Sequence, residues 1–141
     1  MIKLQHGYEI DDDPARLDLD AICGYLLTDA YWHRWRTKDD VAEQIRCSWR
    51  CVGLYAAGAG QVGFARAISD GVALGYLADV YVLALHRGRG LGRALVAELV
   101  DGPPGRRMRW LLHTADMHSL YAGLGFGSPP ATVMEREAVR E

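Results

Sequence analysis

Between a long apolar run and an amphipathic segment lies Arg87-Gly88-Arg89-Gly90-Leu91-Gly92-Arg93. Glycines at alternate positions leave backbone N–H groups bare. Where such a loop opens a helix, those groups and the positive end of the helix dipole suit an anion, and phosphate is the natural ligand. The three arginines add fixed charge and bidentate donors, which fit a pyrophosphate or a ribose phosphate better than lysine would. The same residues also suit an ordinary strand-to-helix turn that needs glycine geometry and carries solvated arginines. Two phosphate-binding spacings are not met. Gly90 is followed three positions later by Arg93 and Gly92 by Leu95, which breaks the dinucleotide fingerprint; no lysine follows Lys38, which rules out a P-loop. A second chemical feature is Asp79, the only charge in the apolar run from Val72 to Leu85.

The elements around these residues must hold them in place. At 141 residues, half of them hydrophobic, the chain is expected to form one domain spanning 1–141. A net charge of -2 and a pI near 6.2 give no overall basic field, so nucleic acid is not an expected partner. Cys23, Cys47 and Cys51 are odd in number and include no CxxC pair, which fits a reducing compartment. The N-terminus lacks a charged region followed by an apolar one, and no apolar run reaches membrane-spanning length, so a cytoplasmic protein without a membrane partner is expected.

Periodicity supplies the order of elements. A short strand ends at Asp11-Asp12-Asp13-Pro14. Leu19, Ile22, Cys23, Leu26, Leu27 and Ala30 predict a helix from Leu17 to about Trp32, with Asp18 as its cap. A second helix is predicted from Asp39 to Ser48, capped by Thr37. From Cys51 the pattern becomes a β-meander with turns at Gly58-Ala59-Gly60 and Ser69-Asp70-Gly71. Its last strand, within Val72–Leu85, reads as central and covered on both faces. Then follow a helix after the glycine loop, a strand at Met108–His113, a short helix at Ala115–Leu124 and a final strand at Thr132–Arg136. This order suggests an α/β protein with a mixed sheet flanked by helices.

Arg87-Gly88-Arg89-Gly90-Leu91-Gly92, preceded by Asp79-Val80-Tyr81-Val82-Leu83, fits Gln/Arg-x-x-Gly-x-Gly/Ala after a strand and resembles motif A of the GNAT superfamily of N-acetyltransferases. Leu120-Tyr121-Ala122-Gly123-Leu124-Gly125-Phe126 is similar to that superfamily's late helix, Leu-Tyr-x-x-x-Gly-Phe. The resemblance implies a GNAT fold: a mostly antiparallel sheet of about six to seven strands, about four helices, and a splayed parallel strand pair that holds acetyl-coenzyme A. It implies that backbone groups of Val80, Tyr81 and Val82 meet the pantetheine arm. Those of Arg87, Gly88, Arg89, Gly90, Leu91, Gly92 and Arg93 would hold the pyrophosphate. An N–H near Val82 or Leu83 would polarise the thioester carbonyl, an effect of about 2.7–4 kcal/mol per donor.

The implied reaction is direct attack by a primary amine of a small molecule or peptide, which requires a proton to leave the amine and the thiolate to be stabilised. By resemblance Tyr121 is the acid; with an ordinary pKa of about 10 it stays protonated while a thiolate of about 8.5 departs. Asp79 is the candidate base, its pKa expected to rise on burial, although such a carboxylate also serves simply to accept hydrogen bonds from backbone or an arginine. Tyr31 and Trp32, within the cluster Tyr31–Arg36, lie where relatives cap the acceptor site; they either contact the acceptor or anchor a helix end. Thr114 stands where many relatives carry an asparagine that meets the cofactor. His113, Asp116 and His118 are not spaced for a metal, and none is expected. A homodimer is compatible with the resemblance. Rival readings are another acyl group or a hydroxyl acceptor, a silent acyl-CoA-binding or sensing module, and a nucleotide-binding protein.

Overall fold

The computed structural model describes residues 1–33 and 35–140. Its six strands are β1 (Ile2–Lys3), β2 (Tyr8–Asp11), β3 (Arg50–Ala56), β4 (Gly60–Ser69), β5 (Leu74–Val82) and β6 (Arg109–Leu111). They form one sheet in chain order. All neighbours are antiparallel except β5 and β6, which run parallel. A parallel pair needs a crossover, and the helix α3 (Leu91–Val100) provides it. Two helices, α1 (Leu19–Leu26) and α2 (Lys38–Cys47), lie between β2 and β3, and the short α4 (His118–Ala122) follows β6.

Each face of the sheet has its own core. Leu91, Leu95, Val96, Leu99 and Val100 of α3 pack on Val52, Leu54, Val62, Ala65, Leu77 and Val82. On the opposite face Ile22, Cys23 and Leu26 of α1 and Val41 of α2 pack on Phe64 and Tyr81. Side chains alternate across a strand, so β4 meets both cores and is buried along most of its length. β5 alternates buried and half-buried positions. β4 is therefore the more fully covered strand, whereas β5, which the sequence reads as central and covered on both faces, also meets both cores but is half-buried at alternate positions. The reason is that β5 has a full partner on one side only: its pairing with β6 covers Leu74, Gly75 and Tyr76.

Both helix caps form as the sequence implies. The Asp18 carboxylate accepts from the Ala21 N–H at 3.0 Å. Thr37 and Asp40 satisfy one another's backbone donors in a capping box. α1, however, stops before Trp32. The N–H groups of Thr28, Asp29 and Ala30 converge on the Tyr25 carbonyl, and the Thr28 hydroxyl bonds the Gly24 carbonyl. This local competition ends the helix and frees Tyr31 and Trp32 to turn toward the sheet.

The strand expected at Thr132–Arg136 does not form: residues 127–140 carry no helix or strand. Pro129 and Pro130 lack backbone donors, and the Val133 N–H turns back to the Pro130 carbonyl at 3.0 Å. β6 therefore stays at the edge of the sheet.

Candidate active site

Beyond the Tyr76–Leu111 pair, β5 and β6 part company. The gap opens into a cleft of about 410 Å³ whose walls include Tyr31, Trp32, Asp79, Val80, Leu112, Thr114, Asp116 and Tyr121. Of the residues proposed from sequence for chemistry and acceptor binding, Tyr121, Tyr31 and Trp32 thus face one space, and Asp79 borders it with its side chain buried.

β5 is bulged where it lines this cleft. Phe64 pairs with Tyr81 and Arg66 with Ala78, so Asp79 and Val80 together oppose Ala65. Asp79 adopts φ 53°, in the left-handed region, which for a residue other than glycine costs on the order of 1 kcal/mol or more and persists only where surroundings fix it. They do so here. Arg36 donates to both carboxylate oxygens, at 2.7 Å and 2.9 Å. Arg66 Nε donates to Oδ2 at 2.6 Å, and Trp32 Nε1 to Oδ1 at 2.8 Å. The expected rise of the Asp79 pKa is therefore corrected. Burial does push it upward, but the hydrogen bonds and charges of Arg36 and Arg66 outweigh burial and hold the carboxyl below its usual range. A carboxylate so held is a poor proton acceptor.

Tyr121 is half-buried, with its ring edge-on to Phe126 at 5.7 Å. Burial first, then the Tyr31 and Asp116 charges, push its pKa up to about 12 instead of the ordinary value expected from sequence. It is a neutral hydrogen-bond donor throughout the physiological range. Tyr31 lines the cleft, donating its hydroxyl to Asp116 Oδ1 at 3.4 Å and accepting from the Ala115 N–H at 3.3 Å. Its ring meets Trp32 edge-on at 5.0 Å. His33 also faces the cleft; burial and then Arg36 lower its pKa, so it is neutral at pH 7. Arg34, from the same cluster, lies outside the described residues. Thr114 Oγ1 accepts from the Met117 N–H at 3.1 Å, shaping the turn into α4.

The glycine loop leads directly into α3. Gly88 and Gly90 have φ 76° and 74°, and Gly90 caps the helix without any side-chain acceptor. The first intrahelical bond runs from the Ala94 N–H to the Gly90 carbonyl, which leaves the N–H groups of Leu91, Gly92 and Arg93 without intrahelical partners. A Cβ placed on Gly88 or Gly90 would meet nothing within 4 Å, so this backbone borders open space. An open, uncapped N-terminus beside a parted strand pair fits a diphosphate whose attached chain enters the gap.

The three arginines are not equivalent. Arg87 folds back, its Nε donating to the Val82 carbonyl at 2.8 Å and its guanidinium reaching the Tyr25 hydroxyl. Its side chain, and the Val82 carbonyl, are thus occupied within the protein. Arg93 lies over Gly123. Arg89 borders a second cleft beside Gly90, formed with Leu4, Gln5, His6 and Tyr8. Leu83 is corrected as an oxyanion donor, because its N–H is bonded to the Val62 carbonyl at 2.8 Å.

Sequence reasoning missed Arg66. The available signal was a lone charge in the apolar stretch Val62–Ile68 of β4, one strand away from the lone charge in β5.

The chain is similar to known proteins over most of its length. Residues 48–127 match the family described as acetyltransferase (GNAT) domain. A Gibberella zeae protein, provisionally named an acetyltransferase, is 36% identical over 84% of this chain and 78% of its own. A Xanthomonas campestris pv. campestris crystal structure, assigned provisionally as a GNAT acetyltransferase, superposes with a TM-score of 0.84 at 37% identity, covering 93% of both chains. Glucosamine-6-phosphate N-acetyltransferase of Arabidopsis thaliana shares the fold, with a TM-score of 0.62 at 14% identity over 92% of this chain and 97% of that one.

Proposed function

The chain belongs to the GNAT family of acetyltransferases, and from that premise we propose that it transfers an acetyl group from acetyl-coenzyme A to a primary amine by direct attack. The observation that carries this reading is the opening of the β5–β6 pair after Tyr76 and Leu111 beside the uncapped N-terminus of α3.

Acetyl-coenzyme A supplies an activated thioester. In this reading the N–H groups from Arg87 to Arg93 hold its pyrophosphate, chiefly at Leu91, Gly92 and Arg93, with Arg89 the arginine best placed to add charge. Backbone groups of Val80, Tyr81 and Val82, apart from the Val82 carbonyl that Arg87 holds, line the pantetheine path. Tyr121 donates a hydrogen bond to the sulfur as negative charge develops there. Full proton transfer from a phenol at about 12 to a thiolate at about 8.5 is uphill, so Tyr121 stabilises the leaving group without surrendering its proton. Tyr31 and Trp32 form the wall against which the acceptor rests, and Asp116, exposed at the Tyr31 hydroxyl, favours a cationic acceptor. The proton lost by the amine passes to solvent in the open cleft, because the Asp79 carboxylate is already engaged.

Thermal stabilisation by acetyl-coenzyme A, with none from NAD or ATP, supports the cofactor assignment; the reverse pattern contradicts it. Release of free thiol that depends on an added amine and falls in Tyr121→Phe supports acetyl transfer. Stabilisation without thiol release across an amine panel identifies a silent binding module instead.

A further inference from the structure

Resting on the acetyl-transfer reading, we propose that Tyr76 and His113 form a relay that carries the proton of the attacking amine to solvent, with Glu135 as the positioning residue that fixes the His113 ring. Asp79 does not fill this role. Four N–H groups, from Trp32, both terminal nitrogens of Arg36 and Arg66 Nε, engage its two oxygens, and a carboxylate offers about four lone-pair sites.

The sheet places the relay on the acceptor side of the gap. Leu77 on β5 packs into the α3 core, so its neighbour Tyr76 points to the opposite face, the one on which Trp32 packs. His113, just past the end of β6, meets it there. Both line the cleft with Tyr31, Trp32 and Tyr121. Their ring centroids are 5.7 Å apart, the Tyr76 hydroxyl bonds His113 Nδ1, and His113 Nε2 bonds the Glu135 carboxylate.

This chain of bonds fixes the direction of proton movement. An ionised carboxylate can only accept, so Nε2 of the neutral ring carries the proton and Nδ1 accepts from Tyr76. The Tyr76 oxygen keeps a lone pair for a donor in the cleft. When the amine lone pair bonds to the thioester carbon, the nitrogen becomes positively charged and its protons acidic. One of them passes to the Tyr76 oxygen, directly or through one water, as the hydroxyl proton passes to His113 Nδ1. Tyr76 is neutral before and after, the C–S bond breaks, and the imidazolium pairs with Glu135. The His113 side chain is 67% exposed, so the ring returns its extra proton to water. Burial first, then Glu135, push the Tyr76 pKa up, which suits a hydroxyl that passes protons without ionising. Of the other charged groups nearby, Asp79 is held by Arg36 and Arg66, while Asp116 and the neutral His33 border the same cleft.

Two measurements test the relay. In the free protein, nitrogen NMR of the neutral His113 ring should place its proton on Nε2, and Glu135→Ala should shift it toward Nδ1. A wild-type ring protonated on Nδ1 gives Tyr76 no acceptor and overturns the relay; an unchanged tautomer in Glu135→Ala overturns the part given to Glu135. Thiol release is then followed with saturating acetyl-coenzyme A and a fixed excess of mixed primary amines. His113→Ala and Tyr76→Phe are each expected to slow it about a hundredfold, with acetyl-coenzyme A affinity unchanged. Added imidazole restores the rate of His113→Ala, whose exposed site admits it, and leaves Tyr76→Phe slow. A rate within about threefold of wild type in either variant, or equal rescue of both, overturns the relay and leaves acetyl transfer standing. Wild-type protein that releases no thiol with these amines overturns both.

Discussion

Arg66 Nε lies 2.6 Å from Asp79 Oδ2 across the β4–β5 ladder, and because Arg36 holds the same carboxylate, one buried anion sits between two buried cations. Removing the anion is therefore worse than removing one cation. Asp79→Asn leaves two uncompensated buried charges and is expected to destabilise the fold by about 3–5 kcal/mol, whereas Arg66→Met leaves a balanced pair and costs clearly less. Chemical denaturation of the two variants measures the order; equal losses contradict it.

The same carboxylate gives the stability a pH dependence. Its folded-state pKa is depressed, so its contribution is fully present above the unfolded value of about 3.9 and is lost as pH falls through the lower folded value. Denaturation midpoints of the wild type should drop on going from pH 5 to pH 3 by more than those of Arg66→Met, in which the carboxyl has lost one of its two cations. Parallel pH profiles would remove Asp79 from the explanation.

The loop glycine Gly90 has open space where a Cβ would sit but a left-handed backbone. Gly90→Ala therefore meets conformational cost without collision, about 1–2 kcal/mol. The strain falls on the residue that aims the Leu91 and Gly92 N–H groups, so calorimetry should show weakened coenzyme A binding. Unchanged affinity would place the diphosphate elsewhere.

Tyr121→Phe removes a hydroxyl that has no hydrogen-bond partner among the described residues, so the melting temperature and coenzyme A affinity are expected to stay near wild type while kcat falls. With its pKa at about 12, Tyr121 should give no basic limb in the rate profile below about pH 10. A limb near neutrality that disappears in Tyr121→Phe would contradict the donor role described above.

Much of this arrangement was legible from residue types alone. Alternate glycines after an apolar strand located the α3 N-terminus, and Asp18 and Thr37 marked helix starts, because these features depend on local backbone chemistry. Non-local features were not legible. That Arg87 turns back to the Val82 carbonyl, or that Leu83 spends its N–H on Val62, depends on where the loop comes to rest against the sheet. Asp79 is the sharpest case. Its solitary charge was visible, but its chemistry is set by Arg36 and Arg66, 43 and 13 residues away, and burial alone gave the wrong direction for its pKa. The final strand was misread because Thr132–Arg136 has strand-like residues but forms no ladder: the Val133 N–H turns back to the Pro130 carbonyl, and Glu135 meets His113, past the end of β6, through its side chain.

The most direct test of acetyl transfer is mass spectrometry of a mixed primary-amine library incubated with the protein and acetyl-coenzyme A. At least one amine is expected to gain a single acetyl group on nitrogen, in step with free thiol release and much more slowly with Tyr121→Phe. A library left unmodified by protein that demonstrably binds acetyl-coenzyme A, or acetylation confined to hydroxyls, would contradict it.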